Sequence, residues 1–169
     1  RQIEKNLDFL ISARSIFRNL PNVDNEKPLA VFAGAPNVGK SSLIGAVSSG
    51  KPEVKSYPFT TKGVSLGHIK AKYDVIQVMD TPGLLDRPDS ERNDMEKQGI
   101  AALDHLKPTI VFLTDLSGTS GYSMEIQKSL HTELKDRYSD YNWIDVYSKS
   151  DLEPEMTLEY ADSISVSVM

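Results

Sequence analysis

The residues best suited to chemistry in this 169-residue chain form one glycine-bounded loop, from Gly34 to Ser41. Its sequence, Gly-Ala-Pro-Asn-Val-Gly-Lys-Ser, completes the pattern G-x-x-x-x-G-K-[ST]. In this pattern backbone N–H groups surround a polyphosphate, the lysine reaches the outer phosphates and the hydroxyl ligates Mg²⁺. The sequence therefore predicts a nucleotide site with Lys40 as the cation and Ser41 as a metal ligand. Its predicted nucleotide-binding residues are Asn37, Val38, Gly39, Lys40, Ser41 and Ser42.

A second group of candidates, Asp80-Thr81-Pro82-Gly83, follows the apolar run 75–79. A carboxylate at the end of that strand is placed to hold Mg²⁺ across from Ser41. Gly83 lets the backbone approach a terminal phosphate, so that its N–H can donate to a phosphoryl oxygen. Taken alone, this tetrapeptide would be a surface turn. Its position 40 residues after Lys40 favours the phosphate site.

A third group, Ser148-Lys149-Ser150-Asp151, follows the apolar run 143–147, where proteins that select guanine carry [NT]-K-x-D. The Asp151 carboxylate accepts hydrogen bonds from guanine N1–H and the 2-amino group, and adenine offers neither donor. Ser148 departs from the pattern, but a lost neutral hydrogen bond costs only about 0.5–1.5 kcal/mol, against about 1.5–3 kcal/mol for a charge-assisted one. The sequence therefore predicts guanine selectivity with a reduced margin. The Ser165-Val166 backbone is the predicted donor to guanine O6, and Ser167-Val168 offers a second register.

The elements that must position these groups alternate along the chain. Apolar runs predict strands at 28–33, 63–71, 74–79, 109–113, 143–147 and 163–166, and helical spacing predicts helices at 2–20, 40–47, 89–106 and 126–138. Asp89 or Ser90 is the expected N-cap of the third helix, and 50–62 is a polar segment with no predicted element. Strand and helix alternation predicts a three-layer α/β fold with a mostly parallel sheet, whose carboxyl-end edge gathers all three motifs.

The chain is expected to contain two parts. Residues 1–27 are a helix and connector, interpreted as the end of a truncated helical domain, and residues 28–169 are the phosphate-binding domain without its last helix. An arginine at position 1 indicates a piece of a longer chain. We expect a cytoplasmic protein with no membrane association, because there is no cysteine, no signal peptide and no apolar run of about 18 residues.

Charge is distributed unevenly along the sequence. Residues 1–85 carry 11 Lys/Arg and 7 Asp/Glu, a net +4, whereas residues 86–169 carry 8 and 17, a net −9. The positive half is either an RNA-facing surface or a solvated face that attracts nucleotide. The three histidines lack metal-ligand spacing and are expected to be ordinary surface or strand residues.

With these motifs in order, the chain resembles the Obg group of translation-factor-like GTPases. The marks are Gly-Ala-Pro-Asn-Val-Gly-Lys-Ser-Ser, Tyr-Pro-Phe-Thr-Thr-Lys and Asp-Thr-Pro-Gly-Leu-Leu-Asp. The stretches 80–94, 101–106 and 115–117, and the helix before the domain, look most like the nucleolar GTP-binding (Nog) proteins. The resemblance implies a monomeric GTPase that binds GTP and GDP. It also implies assistance to large ribosomal subunit assembly on a pre-ribosomal particle or its rRNA, in the nucleolus if the source is a eukaryote.

The resemblance also implies catalytic roles for Lys40, Thr61 and Gly83. Thr61, preferred to Thr60 by its place in the motif, would complete the Mg²⁺ shell when triphosphate is bound. Leu84 stands where many signalling GTPases have the glutamine that orients water, and Asn37 matches an asparagine that helps relatives bind K⁺. Because the sequence shows no arginine finger in place, hydrolysis is expected to be slow without K⁺ or a partner. Arg87 and Arg92 are interpreted as solvated charges rather than arginine fingers.

Two other functions stay open from the sequence. Ser148 and Leu84 could mark a G domain that serves as a binding module with eroded nucleotide use. An ATPase of the same fold would follow if Asp151 missed the base. Erosion is opposed by the intact residues Lys40, Ser41, Asp80 and Asp151.

Overall fold

The computed structural model describes residues 23–55, 63–154 and 163–168. Within these ranges the strands are β1 (Leu29–Ala33), β2 (Glu53–Lys55), β3 (Val64–Lys70), β4 (Val75–Asp80), β5 (Thr109–Asp115), β6 (Trp143–Ser148) and β7 (Ile164–Ser165). The helices are α1 (Lys40–Val47), α2 (Asp94–Asp104) and α3 (Met124–Arg137), with a 3₁₀ turn at Asp89–Glu91. The predicted helix 2–20 and Thr61 lie outside the described residues, so the division at residue 27 stays a prediction.

The seven strands form one sheet in the order β2-β3-β4-β1-β5-β6-β7. The pairs β4-β1, β1-β5, β5-β6 and β6-β7 are parallel. The pairs β2-β3 and β3-β4 are antiparallel and lie at one edge of the sheet. Strand β1 and residues 110–113 of β5 are wholly apolar, because both faces of the sheet are covered at its centre. Ile44 of α1 packs on one face, and Leu103 of α2 and Leu130 of α3 pack on the other. The predicted three-layer, mostly parallel fold is confirmed.

The start of α2 differs from the expected N-cap at Asp89 or Ser90. The Asn93 side chain accepts the Glu96 N–H at 2.8 Å, and the Glu96 carboxylate accepts the Asn93 N–H at 3.1 Å. This reciprocal capping box satisfies two helix-end donors and begins the helix after Asn93. The Asp89 N–H instead donates to Glu133 of α3 at 2.7 Å.

Two further expectations were wrong in detail. The segment 50–62, expected to be without an element, contains β2, whose central Val54 is 71% exposed. This edge strand forms by pairing with β3 and has no apolar alternation for a sequence pattern to detect. The apolar spacing that predicted the helix 126–138 begins at Ile126, but Ile126 is 48% exposed and the polar Gln127 is buried instead.

Candidate functional site

The phosphate loop follows β1 directly, and its backbone has an unusual conformation. Gly34 has φ of 130°, and a Cβ placed there would lie 2.4 Å from the Leu113 carbonyl oxygen of β5. Asn37 and Gly39 also have positive φ, at 62° and 100°. Gly39 is the N-cap of α1 and provides no side-chain cap, so the first N–H groups of this helix face the loop. The loop is thus a concave set of backbone donors.

Lys40 lies inside this loop and is only 8% exposed. Its Nζ donates to the carbonyl oxygens of Gly34 and Ala35, both at 2.8 Å. The loop therefore encircles its own cation. The ammonium charge is held at the centre of the predicted phosphate site.

Ser41 and Asp80, predicted on separate motifs, are in contact. The pairing of Phe32 with Asp80 brings the carboxyl end of β4 beside the end of β1, and the Ser41 hydroxyl donates to Asp80 Oδ2. Asp80 is 2% exposed, and its Oδ1 has no hydrogen-bond partner among the described residues. A buried carboxylate oxygen with unused lone pairs beside a hydroxyl suits a hard cation such as Mg²⁺. No cluster of three or more His, Cys, Asp or Glu that could hold a metal occurs in the described ranges.

The predicted base-binding residues follow β6. Lys149 has φ of 56°, and its Nζ donates to Asp115 Oδ2 and Thr119 Oγ1, both at 2.8 Å. The buried Ser148 hydroxyl donates to the Thr114 carbonyl at 3.3 Å, so it ties β6 to β5. Asp151 is exposed and accepts a hydrogen bond from the Ser167 hydroxyl. A cavity of about 100 Å³ lies between this loop and the start of α1, lined by Val38, Gly39, Ser42, Leu43, Leu113, Ser148, Lys149, Val166 and Val168.

The last strand is placed by its backbone pairing with β6. The Val166 N–H donates to the Tyr147 carbonyl at 2.8 Å, and the Val166 carbonyl accepts from Ser150 at 3.1 Å. The Val166 amide is therefore part of the sheet. The exposed Ser165 pairs with Tyr147, and it is Ser167 that reaches Asp151. The structure thus brings the second sequence register, Ser167-Val168, to the base-binding loop.

Asp115 is a site residue that the sequence analysis did not select for chemistry. Its carboxylate, 1% exposed at the end of β5, accepts from Lys149 Nζ and from the N–H groups of Ser117 and Ser120, at 2.8, 2.9 and 2.8 Å. Burial would raise the pKa of Asp115, but the hydrogen bonds from Lys149 and Ser117 outweigh burial and lower it. The signal available in the sequence was its position directly after a buried strand.

The segment after Asp80 is anchored in the core. Leu84 and Leu85 are 0% and 1% exposed, and both belong to the core cluster that contains Leu103 of α2 and Leu130 of α3. The Gly83 N–H donates to Asp86 Oδ2 at 2.9 Å. The expectation that Arg92 is a solvated charge was wrong, because its buried guanidinium binds Asp89 at 3.1 Å and the Arg87 carbonyl at 2.6 Å.

Comparisons with known proteins show the family of the chain. Residues 29–147 match the family model described as 50S ribosome-binding GTPase. The chain is 41% identical over 152 residues to nucleolar GTP-binding protein 1 of Encephalitozoon cuniculi, covering 90% of this chain and 29% of that protein. It is 36% identical over 162 residues to the protein of the same name from Arabidopsis thaliana, covering 96% and 24%. The chain therefore spans about a quarter of the length of these relatives.

A solved structure is also similar. The crystal structure of nucleolar GTP-binding protein 1 from Plasmodium falciparum superposes with a TM-score of 0.75 at 30% identity. The match covers 88% of this chain and 81% of that one. Among the helices of the described residues, none has the length and apolar character needed to cross a membrane.

Proposed function

The chain belongs to the 50S ribosome-binding GTPase family and is a homologue of nucleolar GTP-binding protein 1, and we propose that it is a GTP-hydrolysing switch in large ribosomal subunit assembly. The observation that carries the proposal is the contact of Ser41, at the end of the phosphate loop, with Asp80, at the end of β4, with one Asp80 oxygen unsatisfied among the described residues. This contact joins the two motifs that a triphosphate site requires.

Binding of the phosphates falls to the loop. Its backbone N–H groups and the helix α1 N-terminus donate to phosphate oxygens, and the Lys40 ammonium exchanges its contacts with Gly34 and Ala35 for the outer phosphates. Ser41 and Asp80 would hold Mg²⁺, and Thr61 stays a predicted third ligand. When bound, Mg²⁺ would neutralise negative charge on the outer phosphates.

In the proposed function, the loop after β6 selects guanine. Lys149, held by Asp115, lays its stem along the cavity beside Gly39, where it can cover the base. Asp151 is the proposed acceptor for guanine N1–H and the 2-amino group. The Val166 amide is engaged with Tyr147, so we assign the donor to guanine O6 to the Ser167-Val168 backbone. This assignment replaces Ser165-Val166 in the proposal.

Hydrolysis in this proposal uses no glutamine, because Leu84 is buried in the core. Lys40 stabilises the negative charge of the transition state, and the Gly83 N–H donates to the terminal phosphate. Asn37, whose side chain lies 3.5 Å from the Ser120 carbonyl, is the proposed K⁺ ligand. We expect single-turnover hydrolysis to be faster in K⁺ than in Na⁺, and equal rates would remove K⁺ from the mechanism.

The cellular role rests on the relatives. Two of them are named nucleolar GTP-binding protein 1, and the family model is described as ribosome-binding. We propose that the domain acts as a monomer on a pre-ribosomal particle or its rRNA, in the nucleolus of a eukaryotic source.

The first experiment is calorimetric titration of the chain with GDP and with ADP in Mg²⁺. We expect GDP to bind at least about tenfold more tightly, a difference of about 1.4 kcal/mol. Equal affinities would show that Asp151 does not select guanine and would favour the ATPase alternative. Binding of neither nucleotide would favour the binding module.

A further inference from the structure

The Gly83 N–H, the proposed donor to the terminal phosphate, already has an acceptor within the chain. Asp86 lies three residues later and its Oδ2 accepts this N–H at 2.9 Å. The Asp86 side chain is only 11% exposed, and its Oδ1 has no hydrogen-bond partner among the described residues. A carboxylate presents anionic oxygens to an N–H as a phosphoryl group does. The carboxylate therefore stands in for a terminal phosphate.

The geometry points to Asp86 as a residue that determines the preference between GDP and GTP. The inference rests on the proposed function, because it requires that Gly83 donates to the terminal phosphate. A single N–H directed at Asp86 cannot bond equally well to a phosphate oxygen, so GTP must displace the carboxylate. The two negative groups also repel each other. GDP has no terminal phosphate and leaves the contact intact, so Asp86 weakens GTP binding relative to GDP.

The surroundings of Asp86 allow the displacement. A cavity of about 480 Å³ lies beside the phosphate loop and is lined by Pro36, Asp86, Arg87 and Tyr122, among others. Arg87 Nε is 3.7 Å from Asp86 Oδ1, so a counter-charge is adjacent when the carboxylate leaves Gly83.

A second carboxylate lies near the same backbone position. Glu96 Oε1 would be 3.6 Å from a Cβ at Gly83, and it binds Arg87 Nη2 at 3.3 Å. Glu96 is also half of the capping box of α2. Arrival of a terminal phosphate at Gly83 therefore also adds negative charge beside Glu96, at the start of α2.

The test compares Asp86→Ala and Asp86→Asn with the unmodified chain. For each protein, calorimetry in Mg²⁺ gives the affinity for GDP and for a β,γ-imido analogue of GTP. We expect the alanine variant to shift the affinity ratio toward the analogue by about tenfold or more, the effect of losing one charge-assisted competitor. The asparagine variant keeps an acceptor oxygen without the charge, so its shift should be smaller. It also preserves side-chain shape, so it supports the comparison if the alanine variant does not fold.

The matched control is Glu91→Gln, which removes one negative charge from an exposed residue lining the same cavity. Its ratio should stay within about twofold of the unmodified chain, because the charge of an exposed side chain is screened by solvent and salt. Unchanged ratios in both Asp86 variants, or an equal shift in Glu91→Gln, would overturn the inference while leaving GTP binding intact. If the unmodified chain bound no guanine nucleotide, the proposed function and this inference would both fall.

Discussion

Among single residues, one exposed carboxylate carries the proposed recognition of the base. Asp151 accepts a hydrogen bond from the Ser167 hydroxyl, and the neighbouring residues Lys149 and Val168 line the cavity between β6 and α1. Ser148, which departs from the guanine pattern, donates its hydroxyl to the Thr114 carbonyl. Ser148 therefore ties the loop to β5, and in the proposed function Asp151 is the main source of guanine selectivity.

The Asp151→Asn variant tests this role of the carboxylate. The variant should bind GDP at least about tenfold more weakly, because it loses a charge-assisted acceptor that contributes about 1.5–3 kcal/mol. It should gain affinity for xanthosine diphosphate, whose 2-oxo group can accept from the new amide. Calorimetry with both nucleotides measures this. Asp140→Asn, at an exposed site before β6, is the control, and unchanged GDP affinity in Asp151→Asn would contradict the assignment.

At the scale of elements, the phosphate loop is fitted against β5. The close approach of Gly34 to the Leu113 carbonyl leaves no room for a side chain. Gly34→Ala should therefore lower the free energy of unfolding by about 2 kcal/mol or more, through steric conflict and a positive φ. Urea unfolding measures the change. Gly45→Ala, on the exposed side of α1 with no atom within 4 Å, should instead stabilise by up to about 1 kcal/mol. Equal stability of the two variants would contradict this account.

Helix α3 is joined to β6 by a buried polar cluster. Asp145 Oδ1 lies 2.8 Å from His131 Nε2 and accepts from Trp143 Nε1 at 2.8 Å, and Asp145 Oδ2 accepts from Lys135 at 3.3 Å. Burial would raise the pKa of Asp145, but the hydrogen bonds from His131 and Trp143 lower it overall. The expectation that all three histidines are surface or strand residues was wrong for His131, which is buried on α3.

The cluster predicts a pH-dependent stability. Because the pKa of Asp145 is lowered on folding, its contribution is present above its unfolded pKa of about 3.9 and is lost as the pH falls through the folded pKa. Asp145→Asn should therefore lower the free energy of unfolding by about 1–3 kcal/mol at pH 7 and by less near pH 3. Urea unfolding at both pH values measures the difference. As a control, Asp136→Asn at an exposed position of α3 should change the free energy of unfolding by less than about 0.5 kcal/mol. An equal loss of stability at both pH values would contradict a stabilising role for the charge of Asp145.

At the scale of the whole molecule, the site draws on strands from across the sheet. Lys40 follows β1, Asp80 ends β4, Asp115 ends β5 and Asp151 follows β6. The site exists only when these strands are paired, so nucleotide binding and folding are coupled.

This coupling predicts a thermal shift. GDP at about 100 times its dissociation constant should add about 2.7 kcal/mol to the free energy of unfolding. For a chain of this length each kcal/mol raises the melting temperature by about 2–4 °C, so we expect roughly 5–11 °C. Differential scanning fluorimetry in Mg²⁺ measures the shift. ADP at the same concentration is the control, and an equal shift would mean that the stabilisation comes from the phosphates alone.

The motifs of a GTPase and the layer architecture could be predicted from the amino-acid sequence alone. Lys40 and Ser41 belong to a contiguous motif whose backbone conformation is set locally by glycines, and apolar runs identified the central strands because both faces of those strands are buried. Contacts between segments that are distant in the sequence became visible only in the tertiary structure. The pairing of Lys149 with Asp115, of Ser167 with Asp151 and of α3 with β6 depends on strand order and register. A shift of the register by one residue moves the side chains of a strand to the opposite face of the sheet. No local sequence pattern specifies the register.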